Sequence, residues 1–385
     1  MNILVTGAAG YIGSICSEFL LARGMRVIAL DNLIEGHRTA VPSGAVFCQV
    51  DLGNREQLES VFAQHKIDAV MHFAAEALVA KSVREPSIFY ATNVACGVNL
   101  LDAVTRHGVK KFIFSSTAAT YGEPEIVPIP EDHRKAPINP YGKSKLVFEQ
   151  ILADYKTYTQ LNYVALRYFN AAGASKELGE HHRVETHLIP RILDAACGLL
   201  PQVDVFGTDY PTPDGTCVRD YIHVLDIADS HVRALEEIDR VSGEAFNVGN
   251  SRGFSILEVI DAAEHITGRK IPRKLGPRRP PGRGARSIPT AIPRAFLPGA
   301  SRRLNSQKDA AILVEGGCCS RSFIVASKEV RRGIVDRVIV GVTLERTIVR
   351  NALHTATPNG LTGWVKENSR CSYFISCRPL SEIPD

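Results

Sequence analysis

The stretch that most constrains this chain is its opening, Met1-Asn-Ile-Leu-Val-Thr-Gly-Ala-Ala-Gly-Tyr-Ile-Gly13. Ile3 to Val5 is a short apolar run that reads as a buried strand. Glycines follow at 7, 10 and 13, and an apolar-periodic segment then runs through Ile15, Phe19 and Leu20 to Gly24. Strand, glycine turn and helix in that order put the positive end of a helix where a pyrophosphate can sit. Glycine supplies the turn's backbone angles and the room for phosphate approach or helix–strand packing. The spacing is Gly-x-x-Gly-x-x-Gly, not the commoner Gly-x-Gly-x-x-Gly, and alone it serves equally well as a structural turn. Asp31 favours the nucleotide reading. It closes the next apolar strand, Val27 to Leu30, where a carboxylate accepts both ribose hydroxyls of adenosine and repels a 2′-phosphate, so NAD is expected over NADP.

At 385 residues the chain is long enough for two lobes. It enters a strand at once, which leaves no room for a leader peptide, and no apolar run looks long enough to span a bilayer. The nine cysteines are scattered without a Cys-x-x-Cys pair, so neither a disulfide framework nor a metal site is expected, and a reduced, cytoplasmic setting fits best. The net charge of +4 misleads. Eleven basic and no acidic residues lie between Arg269 and Arg303, which leaves the remainder at −7 and without a reason to seek nucleic acid.

The first part alternates strand and helix. Val46 to Val50 ends at Asp51-Leu52, where backbone and carboxylate can meet an adenine edge, and Arg55 to Gln64 has helical periodicity. Ala69 to Phe73 is the next strand, followed by Ala74-Ala75, small residues that let the chain pass close to a cofactor. A long helix from about Ser87 to His107 is closed by Gly108. Lys111 to Phe114 then opens into Ser115-Ser116-Thr117, and parallel units of this kind bind ligands at the carboxyl ends of their strands.

Asn139-Pro140 is a helix start, with a capping side chain and proline at the first position. Tyr141 and Lys145 follow four apart on one helix face. A free tyrosine titrates near about 10 and is a poor base at neutral pH, but a lysine ammonium and a cationic nicotinamide both favour phenolate. Tyr-x-x-x-Lys also occurs by chance. Its place after a nucleotide-binding half, with Thr117 at a preceding strand end, makes it a catalytic candidate.

With those residues in view, the chain resembles the extended short-chain dehydrogenase/reductase family, in its nucleotide-sugar 4-epimerase branch, over residues 1 to about 280. The resemblance is carried by Thr6–Gly13, Asp31-Asn32, His72–Ala75, Ser115–Gly122, Tyr141–Lys145, Arg167–Gly173, Thr186–Pro190 and above all Phe206-Gly-Thr-Asp-Tyr-Pro-Thr-Pro-Asp-Gly-Thr-Cys-Val-Arg-Asp-Tyr-Ile-His-Val224. It implies an α/β fold, a Rossmann-type doubly wound parallel sheet with a smaller α/β substrate-binding lobe. The implied division is a NAD-binding domain over 1–170, a UDP-sugar lobe over 171–280 and a segment foreign to the family over 281–385.

The resemblance implies that Tyr141 takes the proton from a sugar 4-hydroxyl, that Thr117 hydrogen-bonds that hydroxyl, and that Lys145 holds the nicotinamide ribose. The implied cofactor residues are Gly7, Gly10, Tyr11, Ile12, Gly13, Asp31, Asn32, Asp51, Leu52, Phe73, Ala74, Ala75, Asn93, Ser115, Tyr141, Lys145 and Tyr168. The implied contacts to the UDP-sugar are Thr117, Tyr141, Asn170, His187, Leu188, Phe206, Arg219 and Arg279, with Arg219 suited to diphosphate charge or, alternatively, to an ion pair with Asp220. UDP-glucose and UDP-galactose are the implied substrates, NAD the tightly held cofactor and a homodimer the implied assembly. His187 stands where many relatives have asparagine. Glu76-Ala77 stands where some have a cofactor-contacting lysine, with Lys81 further on.

After Arg279 the resemblance stops. The chain continues with the proline- and arginine-rich Pro280–Arg286, and residues 281–385 are expected to form an appendage without fixed structure, or a basic tail for anionic partners. Two other readings of the whole stay open at this stage. One is another reaction on nucleotide sugars, a dehydration, decarboxylation or N-acetylhexosamine epimerisation. The other is NAD binding without catalysis.

Overall fold

The computed structural model describes residues 1–250 and 253–278, together with the backbone of the strands Ala310–Gly317, Ser320–Ser327, Val330–Arg331 and Ile334–Val335. Arg279 and, apart from those strands, the rest of 279–385 lie outside the described residues, and with them the expected UDP contact of Arg279 and the expected appendage.

Six strands arise in the first half: β1 (Asn2–Thr6), β2 (Arg26–Asp31), β3 (Val46–Gln49), β4 (Ala69–His72), β5 (Lys111–Thr117) and β6 (Asn162–Tyr168). Short strands β7 (Asn170–Ala172), β8 (Val203–Phe206) and β9 (Val218–His223) follow, then β10 (Glu244–Val248), β11 (Gly253–Ser255) and β12 (Arg273–Gly276). Seven of them form one parallel sheet in the order β10-β6-β5-β4-β1-β2-β3, which is the expected doubly wound fold. The last strand comes from beyond residue 170, because the chain returns to pair Phe246 with Leu166.

Parallel strands are covered on both faces, and the sequence supplies two apolar layers to do so. Cys16 and Leu20 of the Tyr11–Ala22 helix pack with Ile227, Val232 and Leu235 on one face. Leu58, Phe62, Leu100, Leu101, Phe148 and Leu152 cover the other. A third, separate cluster joins Ile189, Ile192 and Leu193 to Val203, Val205, Val259 and Ile260, and it is the core of the smaller lobe. There β8 pairs with β12, and β9 lies between β7 and β11. The Ile256–Thr267 helix starts with the Ser255/Glu258 capping box read from the sequence and ends at Gly268, whose φ is +62°.

The long helix is observed at Pro86–Arg106, with a π turn at Ala91–Ala95 that the sequence does not announce. By length and composition this stretch could cross a bilayer, which differs from the sequence reading. Its apolarity has a local cause: Phe89, Leu100, Leu101 and Val104 are buried within the protein.

Candidate active site

The order of the sheet reverses between β1 and β4, and a crevice opens there at the carboxyl ends of the strands. Each glycine of the opening turn has a different steric reason. Gly7 has φ +70°, and a Cβ on it would lie 2.6 Å from the Ala74 nitrogen, so the turn after β1 and Phe73–Ala75 after β4 are pressed together. A Cβ on Gly13 would lie 2.1 Å from the Gly7 carbonyl oxygen, which ties the helix to the turn. Gly10 is otherwise. Its Cβ would meet only the Gly7 oxygen, at 3.4 Å, so the protein's own packing hardly requires glycine there. Gly10 also precedes the Tyr11–Ala22 helix without a side-chain cap, and the N–H groups of Tyr11, Ile12 and Gly13 have no acceptor within the helix. An anion pressed against residue 10 satisfies both observations, so these residues fit a dinucleotide pyrophosphate.

Asp31, at the end of β2, is buried and does more than the sequence suggests. Its Oδ2 accepts the Ala9 N–H at 2.9 Å and its Oδ1 the Leu33 N–H at 2.8 Å, so it braces the glycine turn. Next to it lies a cavity of about 410 Å³ lined by Asn32, Ile34, Gln49, Val50, Asp51 and Gln57. Asn32 Nδ2 donates to Asp51 Oδ2 at 2.7 Å, and Asp51 Oδ1 accepts the Gly53 N–H at 2.7 Å. The neighbouring Leu52 is buried, and its carbonyl accepts from Asn99. Ile34, Gln49, Val50 and Gln57 are lining residues to which the sequence reading assigns no site role. Ile34 is 61% exposed, and an exposed isoleucine on a loop beside two carboxylates was the available signal.

Asn93 lies in the π turn and is buried. Its Oδ1 accepts the Glu76 N–H at 2.8 Å, and its Nδ2 donates to the Glu76 carbonyl and the Ser144 hydroxyl, each at 3.0 Å. It thereby fixes the chain after Ala75. Lys81 Nζ donates to Glu76 Oε1 at 3.0 Å and lies 3.9 Å from Glu35 of the loop after β2, so a cation does stand over this side of the crevice.

Asn139 caps the Pro140–Tyr158 helix, its Oδ1 accepting the Gly142 N–H at 2.8 Å. Tyr141, Lys145 and Glu149 follow on one face. Lys145 is buried: its Nζ donates to the Ser115 carbonyl at 2.8 Å and lies 4.9 Å from the Phe114 ring centre. Burial pulls its ammonium down to about 7, while Glu149 pulls it up. The Ser115 and Tyr168 hydroxyls are hydrogen-bonded to each other beside it.

Burial pushes the Tyr141 phenol above its ordinary value, and its hydrogen bond with Thr117 partly offsets this. In the protein alone, burial prevails. Glu149 and Arg167 form a buried pair, Nε to Oε1 at 2.9 Å and Nη2 to Oε2 at 2.5 Å, and the Ser116 hydroxyl donates to Glu149 as well. The sequence reading assigns Glu149 nothing, although its place one turn beyond Lys145 was visible.

On the substrate side, Asn170 Nδ2 donates to the Asp220 carbonyl at 2.7 Å and so joins β7 to β9. Arg219 and Asp220 are consecutive in β9 and therefore point to opposite faces. Asp220 is fully buried and accepts the Asn250 N–H at 2.7 Å, and Arg219 is half-buried. Phe206 ends β8, and His187 and Leu188 begin the Leu188–Ala196 helix. Tyr11 OH donates to the Gly173 carbonyl at 2.6 Å, which links the glycine turn to this lobe.

The profile of the NAD dependent epimerase/dehydratase family matches residues 3–249. A UDP-glucose 4-epimerase of Lacticaseibacillus casei is 49% identical over 282 residues, which is 72% of this chain and 85% of that one. The crystal structure of UDP-glucose 4-epimerase from Brucella ovis in complex with NAD is 44% identical, with a TM-score of 0.73 over 79% of this chain and 92% of that one. A Bifidobacterium longum UDP-glucose 4-epimerase in complex with NAD+ and UDP is 38% identical, with a TM-score of 0.72 over the same shares. With the glycine turn, the switch-point crevice and the Thr117–Tyr141–Lys145 group at one strand end, these likenesses show that the chain belongs to the NAD dependent epimerase/dehydratase family.

Proposed function

We propose that this protein interconverts UDP-galactose and UDP-glucose at carbon 4 of the sugar, with NAD as a resident cofactor. The observation that carries the reading is Thr117 beside the Tyr141 phenol with buried Lys145 one turn on, in the same fold as the glycine cradle. Bound NAD supplies reversible hydride acceptance and a cationic ring. Tyr141 takes the proton from the 4-hydroxyl and returns it, Thr117 orients that hydroxyl, and Lys145 holds the ribose and keeps positive charge near the phenol. Asn170, His187, Leu188, Phe206 and Arg219 hold the UDP portion. Ala118 and Ala119 bring no carboxylate to the Thr117 end, so the arrangement favours epimerisation over dehydration.

The cofactor lobe in this reading is residues 1–170 completed by β10, and 171–278 supplies most of the UDP-sugar lobe. The apolar residues left partly exposed on two helices, Ile88, Tyr90, Val94 and Val98 with Val147 and Ile151, suit a homodimer built on those helices, within a reducing cytoplasm. Purified protein incubated with UDP-galactose is expected to yield UDP-glucose and to release NAD on denaturation. NAD release without conversion would overturn the proposed reaction and leave a binding protein only, and absence of NAD as well would overturn the resident-cofactor reading. Light scattering reads the dimer.

A further inference from the structure

The loop before the Leu188–Ala196 helix gathers four ligand-type side chains within eight residues: Glu180, His182, Glu185 and His187. One ligand atom from each lies within 4.8 Å of every other. His187 Nδ1 is 2.8 Å from Glu185 Oε1 and 3.1 Å from Glu180 Oε1, and His182 Nε2 is 3.1 Å from the same Glu180 oxygen. The edge of a tetrahedron of nitrogen and oxygen ligands at zinc-like bond lengths is about 3.3 Å; these three separations lie a few tenths of an ångström below it, and the remaining ones lie within 4.8 Å.

Charge gives an independent reason. The Glu180 and Glu185 side chains are 8% and 7% exposed, and among the described residues neither pairs with a lysine or arginine. Two buried carboxylates facing only histidines lack a fixed counter-charge. Arg183, between them in sequence, is directed elsewhere, donating to the Leu33 and Gly36 carbonyls. The loop's position is fixed from outside the cluster as well, by His181 stacked on His37 with ring centres 4.6 Å apart.

We propose that Glu180, His182, Glu185 and His187 form a binding site for a tetrahedral divalent transition ion of the zinc class. Two imidazoles and two carboxylates are a donor set suited to such an ion. The sequence reading expects no metal, because the cysteines form no Cys-x-x-Cys pair and the histidines carry no metal-ligand spacing; folding of the loop onto the helix start creates the grouping. A bound ion would staple the 180–187 loop to the start of the helix that carries Leu188. The proposal stands on these four side chains and holds whatever reaction the Tyr141 site performs; His187 faces the two carboxylates through Nδ1, which leaves its Nε2 for the UDP contact assigned to this residue.

The test uses the full chain without a polyhistidine tag, stripped with chelator and titrated with Co2+, with Zn2+ as competitor. One equivalent of Co2+ with the visible absorption of a tetrahedral nitrogen–oxygen site is expected, displaced by Zn2+. His182→Ala and Glu180→Gln should each weaken binding about tenfold or more, since even losing a partner of a ligand costs that much. Circular dichroism confirms folding, and His182→Gln and Glu185→Gln replace any variant that fails it. Absence of Co2+ binding by the folded wild type, affinity unchanged in the folded variants, or a thiolate charge-transfer band from the chain's cysteines would each overturn the proposal.

Discussion

The two sides of the crevice are held by different physics. On the cofactor side, backbone meets backbone: Gly7 against Ala74 and Gly13 against Gly7 leave no space for a side chain. On the substrate side, polar side chains join short strands and loops, as when Asn170 bridges to β9 and Glu180 meets His182 and His187. The first is a rigid consequence of local sequence. The second depends on residues that only the fold brings together.

Four experiments test that contrast. The largest effect is expected at the junction of the two sides. Tyr141→Phe removes the proton-transferring oxygen and should lower turnover about 10²–10⁴-fold while NAD stays bound, as measured by initial rates and cofactor release. Loss of NAD instead would make Tyr141 part of the cradle.

Next, Glu149→Gln leaves the buried Arg167 without its carboxylate and should cost roughly 3–5 kcal/mol in denaturant unfolding. It also removes the group that holds the Lys145 ammonium up, so any activity limb set by that ammonium should move to lower pH. A stability loss without a shift in the pH profile would make the pair purely structural.

The glycines separate packing from binding. Gly7→Ala forces a side chain into the left-handed region and against Ala74, and should destabilise by about 1–2 kcal/mol from the backbone angle alone, before the clash. Gly10→Ala should fold with nearly unchanged stability yet bind NAD more weakly. Equal behaviour of the two variants in thermal melts and cofactor retention would erase the distinction drawn between them.

The smallest effect is on pH dependence of stability. Burial, helped by Lys145, lowers His72 to about 3, and burial lowers His231 to about 4. Unfolded, each titrates near about 6.5, so the unfolded chain binds more protons between these values. The stability their neutral forms lend is therefore present above pH 6.5 and falls by about 1.4 kcal/mol per pH unit for each histidine as the pH drops toward 4. Urea unfolding across that range reads the slope, and its persistence in His72→Gln would assign it elsewhere.

Much of the site was legible because its signals are local. The Gly7–Gly13 spacing, Asp31 at a strand end, Asn139-Pro140 before Tyr141 and the Ser255/Glu258 box are all within a turn or two of what they specify. The helix Arg55–Gln64 falls where its periodicity puts it. Less legible were features without local rules. The π turn around Asn93 follows from packing against Glu76 and Ser144, residues 17 before and 51 after it. The upward shift of Tyr141 follows from burial, which Tyr-x-x-x-Lys does not encode.

Backbone sterics and spacing within one helix or strand set the parallel sheet, the glycine turn, the carboxylate that ends β2 and the one-turn separation of Tyr141 and Lys145, so these were legible in the sequence. Only the tertiary structure decided that Asp31 braces the turn, that Arg167 anchors Glu149 behind Lys145, that β10 closes the sheet, and that Glu180, His182, Glu185 and His187 face one another. Those arrangements depend on which distant surfaces exclude water together, and a buried charge takes its partner from the fold around it.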